Sequence, residues 1–297
     1  MKKIYFVIGP TAVGKTKFAI ELANFLKTEI ISADSRQIFK EMKIGTARPT
    51  DDELSLVKHH FIANKSIFEY YNASMYELEV MDLIDDLFKR HENLVVVGGS
   101  GLYIDALLFG IDDLPTIEDE IRDKLQKKYE EEGIESLRFE LKKVDPEWYK
   151  KVDLKNPNRI LKALEVSYQT GKPYSSFLTG KKKERIFEPV LIALNMDREK
   201  LHNKINKRVD LMLDEGLIDE VKELHPYKTL VPLKTVGYRE LFDYFEGVTD
   251  EQTAIELVKR NTRRYARRQI TWFKRYENTN WIDVTNGYSI RQIIENI

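Results

Sequence analysis

Apolar residues fall along this chain in two patterns. Four runs are short and nearly unbroken in β-branched and apolar residues: Lys3–Ile8, Glu29–Ala33, Leu94–Val97 and Pro189–Leu194. Such runs suit parallel strands covered on both faces. Between them the spacing turns helical. In the segment opening at Lys15–Phe25, positions 18, 19, 22, 23, 25 and 26 are apolar and form one stripe, and Ser74–Phe88 shows a second helix of the same kind. Strands alternating with helices predict βαβ units and a doubly wound, parallel α/β sheet.

From Asp112 to about Phe187 the strand pattern stops. This stretch is charged and helical in period, with breaks at Gly133, Asp145-Pro146, Asn156-Pro157 and Gly171-Lys172-Pro173. The strand pattern resumes at Pro189. The expected organisation is a core built from 1–112 and 187–297, with 113–186 as a helical insertion. From Arg198 onward helical spacing continues, with turns at His225-Pro226 and near Gly247.

Composition narrows the chemistry. With 297 residues, 42% hydrophobic and 33% charged, the chain can bury a sizeable core and reads as a soluble globular protein. The absence of cysteine excludes disulfides, zinc–thiolate sites, iron–sulfur clusters and Cys nucleophiles. No apolar run approaches the roughly 18–20 residues of a membrane helix. The opening stretch resembles a signal peptide but meets Gly9, Pro10 and Lys15 with no small-residue cleavage site, so a cytoplasmic protein is expected. Nothing suggests more than a monomer. The formal net charge is −1, yet residues 259–275 hold eight Lys or Arg and no acid. A basic segment in a neutral total fits a protein that meets a polyanion with one surface.

The strongest chemical signal is Gly9-Pro10-Thr11-Ala12-Val13-Gly14-Lys15-Thr16, which matches G-x-x-x-x-G-K-[ST] between a predicted strand and a predicted helix. Its backbone N–H groups and the helix N-terminus suit phosphate oxygens. Lys15 adds a point charge and Thr16 a hydroxyl for Mg²⁺. The fold class is therefore a P-loop NTPase-like parallel sheet core carrying a helical insertion. An ordinary P-loop ATPase has a second strand ending in a metal-binding Asp. Here the third strand runs into Gly98-Gly99-Ser100-Gly101. The strand-end carboxylate is Asp34 instead, expected at the carboxyl edge of the sheet beside the phosphate loop. It could ligate a metal, act as a general base, or cap a helix that follows. Ser35, Arg36 and Gln37 beside it could read a base edge.

Gly9–Thr16, then Ile31-Ser-Ala-Asp-Ser-Arg-Gln37 and Ile44-Gly-Thr-Ala-Arg-Pro-Thr50, resemble the tRNA dimethylallyltransferase (tRNA isopentenyltransferase) family, bacterial type. So do His59-His60, Val97–Ile104, Asn156–Val166, Val236-Gly-Tyr-Arg-Glu-Leu241 and Arg260–Phe273, in the same order. The resemblance implies transfer of a dimethylallyl group from dimethylallyl pyrophosphate, with Mg²⁺, to a tRNA adenosine. The acceptor is N6 of the base 3′-adjacent to the anticodon (position 37), in tRNAs reading codons that start with U. It implies that the phosphate loop grips pyrophosphate rather than ATP, and that Asp34 is the base. The N–H groups of Thr11–Gly14 are expected to stabilise the leaving group. Ser35, Gln37, Ser100, Arg122 and Asn158, Arg159, Ile160, Leu161 and Lys162 align with tRNA-contacting positions, making the insertion a clamp on the anticodon stem-loop. Asn158–Lys162 is also what an ordinary helix start after Asn156-Pro157 would look like.

Arg260, Arg263, Arg264, Arg267 and Arg268 recur at helical spacing as a cationic stripe, with Tyr265, Gln269, Trp272 and Tyr276 on another face. The stripe could contact tRNA phosphates or close over the pyrophosphate. His59 and His60, read as helical neighbours, point apart and suit hydrogen bonding better than metal. Tyr70, Tyr71, Phe61 and Phe68 read as core or pocket wall. The competing functions are a P-loop small-molecule or nucleotide kinase, whose insertion would be a lid, and an RNA-binding module with a vestigial loop.

Overall fold

The computed structural model describes residues 2–297. The chain divides into two compact units: residues up to Leu108 together with Glu184–Ile297, and Phe109–Lys183.

The first unit begins with β1 (Lys3–Ile8), α1 (Lys15–Leu26), β2 (Ile30–Ser32), α2 (Asp51–Leu56), β3 (His59–His60), α3 (Ala73–Leu87), β4 (Asn93–Val97) and α4 (Gly101–Phe109), the last running one residue past the division. The second unit holds α5 (Asp119–Val144), α6 (Pro146–Lys151) and α7 (Pro157–Thr170). The first unit then resumes with β5 (Glu188–Asn195), α8 (Arg198–Asp214), α9 (Leu217–Leu224), α10 (Tyr238–Phe245), α11 (Glu251–Phe273), β6 (Asn280–Asp283) and α12 (Ile290–Glu295).

The sheet is six-stranded in the order β3-β2-β4-β1-β5-β6, and every pairing is parallel. Its central strands are buried on both faces, as their unbroken apolar runs require. Phe18, Leu22 and Ala23 of α1 pack in one core with Val7, Val95 and Ile192 of the strands. Because β1 lies between β4 and β5, the loop after β1 opens where the connections diverge to the two sides of the sheet.

Two strands depart from the sequence expectation. β6 (Asn280–Asp283) was not foreseen. His59 and His60 are not helical: they form β3, with Ile30 opposite His59 and Ile31 opposite His60. Alternation along a strand explains their different partners. His59 Nδ1 contacts the Val57 carbonyl at 2.7 Å, and His60 Nε2 lies 2.6 Å from Glu29 Oε2. Burial pushes the Glu29 carboxyl up, but the His60 and Lys58 hydrogen bonds and the Lys58 and Arg90 charges outweigh it and hold it at about 2. Phe61 is buried, with its ring edge-on to Tyr76, whereas Phe68 is exposed and meets Tyr227 edge-on.

The second unit has its own apolar core, including Leu125, Leu137, Leu141, Ile160 and Leu164. Its breaks fall at the Gly, Asx and Pro positions. Gly133 interrupts α5 with φ 76°. Asp145 and Asn156 cap α6 and α7, each followed by Pro at the first position, and Gly171 ends α7 in the left-handed region. Among the described residues no helix is long and apolar enough to cross a membrane.

Candidate active site

The phosphate loop leaves β1 at Ile8. Gly9 has φ +142°, and a Cβ there would fall 2.5 Å from the Leu194 carbonyl oxygen of β5, so a side chain is excluded twice over. Gly14, with φ 111°, is the N-cap of α1. Among the described residues the N–H groups of Gly14, Lys15 and Thr16 meet no protein acceptor, as the first turn of a helix dictates. They are free donors at a helix N-terminus, an arrangement that suits an anion.

Two donors expected to face the phosphates are engaged elsewhere. Thr11 N–H donates to Gln269 Oε1 at 2.8 Å, and Val13 N–H points back to the Pro10 carbonyl at 3.4 Å. Gln269 is buried, and its Nε2 also donates to the Gly99 carbonyl at 2.9 Å. This one side chain on α11 therefore ties the loop after β1 to the loop after β4.

Lys15 Nζ donates to the Pro10 carbonyl at 2.9 Å. Burial lowers its ammonium, the Asp34 carboxylate partly restores it, and the Arg208 charge lowers it again, leaving a pKa of about 7. Arg208, half-buried on α8, places Nη1 3.5 Å from Thr11 Oγ1 and lines the same cavity as Lys15. Sequence reasoning passed over this residue. A signal was present: Leu201, Ile205 and Val209 form the buried stripe of α8, and Arg208 lies on its edge. A charge on an apolar stripe calls for a partner.

Asp34 follows β2 and lines that cavity, whose volume is about 820 Å³. Such a volume takes a ligand of ordinary size. The capping expectation needs correction, because no helix follows. Asp34 instead closes a tight turn: its Oδ1 accepts from the N–H groups of Arg36 (2.9 Å) and Gln37 (3.3 Å). Among the described residues its Oδ2 accepts no hydrogen bond, so one oxygen holds the turn while the other is open to a ligand.

The neighbours of Asp34 are ordered by the same turn. Ser100, nearly buried at the start of α4, accepts from Ser35 N–H at 2.9 Å and donates to Ser35 Oγ at 3.0 Å, which props the turn from the β4 side. Arg36 bends back, with Nη1 donating to the Ser35 carbonyl. Gln37 Nε2 donates to the Thr46 and Ala47 carbonyls at 3.1 and 2.9 Å. Both amide protons are thus used, and the Gln37 Oε1 remains an acceptor.

The second unit carries the other predicted tRNA contacts. Arg122 Nη1 donates to Asp119 at 2.9 Å. Asn158 and Arg159 are exposed and Lys162 half-buried on the first turns of α7. Ile160 and Leu161 are buried in the unit's core, so within 158–162 the side chains that reach the surface are those of Asn158, Arg159 and Lys162.

On α11 the structure separates two faces. Val258, Thr262, Tyr265 and Gln269 line the cavity. At about 100° per residue, Arg260, Arg264 and Arg267 fall half a turn away, and all three are exposed. Arg263 lies between the faces and donates to Asn206 Oδ1 at 2.6 Å. Arg260, Arg264 and Arg267 therefore look away from the phosphate loop rather than closing over it, whereas Arg268 lies over the ring of Tyr265.

Among the described residues no group of three or more His, Cys, Asp or Glu could hold a metal ion alone. What the site offers is the Thr16 hydroxyl on the cavity wall. A hard cation that keeps waters and shares phosphate oxygens fits that donor; one needing an all-protein cage does not.

The comparisons with known proteins agree. The family profile described as IPP transferase matches residues 37–276. The tRNA dimethylallyltransferase of Flavobacterium johnsoniae is 49% identical, covering 100% of this chain and 99% of the relative. That of Christiangramia forsetii is 50% identical over 97% and 96% of the two chains. A crystal structure of the full-length tRNA isopentenylpyrophosphate transferase from Bacillus halodurans superposes with TM-score 0.71 at 35% identity, covering 100% of this chain and 94% of that one. A eukaryotic dimethylallyltransferase, captured in crystallographic snapshots acting on tRNA, superposes at TM-score 0.80 and 27% identity, covering 96% and 75%. With a phosphate loop facing a turn-held carboxylate across one cavity, and relatives matched over nearly their whole length, the chain belongs to the IPP transferase family.

Proposed function

We propose that this protein is a tRNA dimethylallyltransferase, moving the five-carbon group of dimethylallyl pyrophosphate to N6 of the adenosine 3′-adjacent to the anticodon, in tRNAs reading codons that start with U. The observation that carries the reading is the shared cavity, with anion donors on one wall and the open Asp34 Oδ2 on another.

An exocyclic amine is a weak nucleophile, and a positioned base aids its attack. In the proposed step the N6 nitrogen bonds to the allylic carbon, the carbon–oxygen bond to pyrophosphate breaks, and Asp34 takes the N6 proton. The amine has two protons, and Asp34 Oδ2 and Gln37 Oε1 are two acceptors within one turn of chain. A guanine would present a carbonyl oxygen to the same pair and be repelled, which is a reason for adenosine. Negative charge growing on pyrophosphate meets the N–H groups of Gly14, Lys15 and Thr16, with Lys15 and Arg208 beside them. Thr16 would hold Mg²⁺ with the pyrophosphate oxygens, and the ion would neutralise leaving-group charge. Drawing the base from its stack costs a few kcal/mol, which contacts from the 109–183 unit and the arginine stripe would offset.

Purified protein incubated with isotopically labelled dimethylallyl pyrophosphate, Mg²⁺ and unmodified tRNA should label the RNA at N6 of that adenosine. ATP-dependent phosphorylation with no RNA labelling would establish the kinase reading instead. The arginine stripe gives a second expected result. Arg264→Gln and Arg267→Gln should each weaken tRNA binding by a few-fold and flatten the slope of log K against log salt by about one. Filter binding at several salt concentrations measures this, and an unchanged slope removes the stripe from the RNA interface.

A further inference from the structure

Residues 43–50 line the catalytic cavity and carry no helix or strand. Something other than a backbone ladder must hold them. Glu220 on α9 does so. Its Oε2 accepts from the N–H groups of Lys43 (2.9 Å) and Ile44 (2.7 Å). Its Oε1 accepts from Gly45 N–H (2.9 Å) and from the Tyr238 hydroxyl (2.7 Å). A carboxylate has about four acceptor positions, and all are used. Three successive N–H groups around one anion form a nest, here filled from within the chain.

Tyr238 completes the device. It is fully buried at the start of α10, and a Cβ on Gly45 would lie 2.6 Å from its ring, so the loop rests directly against the phenol end of the side chain. The turn before Tyr238 is fixed in its own right. Gly237 N–H donates to Glu240 Oε2 at 2.8 Å, and Asn261 of α11 donates to Glu240 Oε1 at 2.7 Å. At its other end the loop gives the Thr46 and Ala47 carbonyls to Gln37, whose backbone N–H is held by Asp34 Oδ1. An unbroken line of contacts therefore runs from Glu220 through residues 43–47 to Gln37 and Asp34.

We propose that Glu220, with Tyr238, is a positioning residue for the acceptor side of the site: it sets the loop that orients Gln37 and Asp34 toward the incoming base. The inference rests on the reading of this cavity as the site of alkyl transfer. A carboxylate is required because a Gln amide would turn N–H toward at least one backbone donor, leaving both unpaired. Among the described residues the side-chain hydrogen bonds of Glu220 reach only the loop and Tyr238, so the donor wall built from Gly14, Lys15 and Thr16 is left alone.

Steady-state kinetics with each substrate varied in turn tests this. Glu220→Gln should lower kcat/KM for tRNA at least tenfold while KM for dimethylallyl pyrophosphate stays within twofold. Tyr238→Phe keeps the ring against Gly45 and removes one of the four donors. It should lower the tRNA parameter about threefold with the donor KM unmoved, and it decides the question if Glu220→Gln does not fold. Wild-type kcat/KM for tRNA in these variants, or donor and tRNA parameters falling together, overturns the proposal. A wild type that transfers no prenyl group defeats the functional reading and this inference with it, whereas an active wild type with unaffected variants defeats the inference alone.

Discussion

Asp34→Asn is expected to lower kcat for prenyl transfer by roughly two to four orders of magnitude, the usual span for loss of a positioned base, with tRNA affinity within a few-fold of wild type. The substitution is chosen for the turn. An Asn Oδ1 still accepts from the N–H groups of Arg36 and Gln37, so the loop that presents the residue is kept. Only the open oxygen is replaced, by an amide nitrogen that cannot take a proton from N6. Single-turnover assays at saturating tRNA, alongside direct binding, separate chemistry from affinity. Loss of tRNA binding with the single-turnover rate intact would make Asp34 a recognition residue and leave the proton without an acceptor.

Lys15→Met is expected to lower kcat by about 10²–10³, the scale of removing a donor aimed at developing negative charge, and to abolish a pH dependence of donor binding. The pH dependence follows from burial. Burial lowers the Lys15 pKa to about 7. A bound pyrophosphate brings negative charge into contact and raises it. Binding then takes up a proton wherever the pH lies between the free and bound values. Below about pH 7 the ammonium is already formed and affinity is level. Above it, affinity falls by up to tenfold per pH unit, the limit for one linked proton. The terminal phosphate of the donor, with its own last ionisation near 6, adds little to this window. Calorimetry of a non-hydrolysable analogue at pH 8, in two buffers of different ionisation enthalpy, counts the protons. Uptake in wild type and none in Lys15→Met is the expected pair. Zero uptake in wild type would show that Lys15 is charged before the ligand arrives.

Much of the frame could be read from residue order alone, for physical reasons. β1, α1, β2, β4 and β5 are central elements whose own residues are buried on both faces or along one stripe, so burial is written into local hydrophobic spacing. In the second unit Gly133, Asp145-Pro146, Asn156-Pro157 and Gly171 mark the breaks, because Gly, Pro and Asx act on φ and on local donors without help from the fold. β3 and β6 escaped notice because they are edge strands of two and four residues, four of the six polar, which exist only by pairing with β2 and β5. The helical reading of His59 and His60 failed for the same reason.

The glycine-and-lysine loop, the carboxylate at the end of β2 and the missing acid after β4 are chemical facts of the chain itself. They were enough to expect an anion-binding loop with a carboxylate beside it and without the metal-binding acid of an ordinary P-loop ATPase. Only the tertiary structure decided which groups remain free to act. Gln269 withdraws the Thr11 N–H, Arg208 joins from α8, Ser100 props Ser35, and Glu220 fastens a loop some 175 residues away in sequence. The reason is geometric. Hydrogen bonds and charges act over a few ångströms of space, and spacing along a chain reports those distances only within a turn or a strand. Wherever two elements meet across the cavity, the contact, and with it the role of each residue, belongs to the fold.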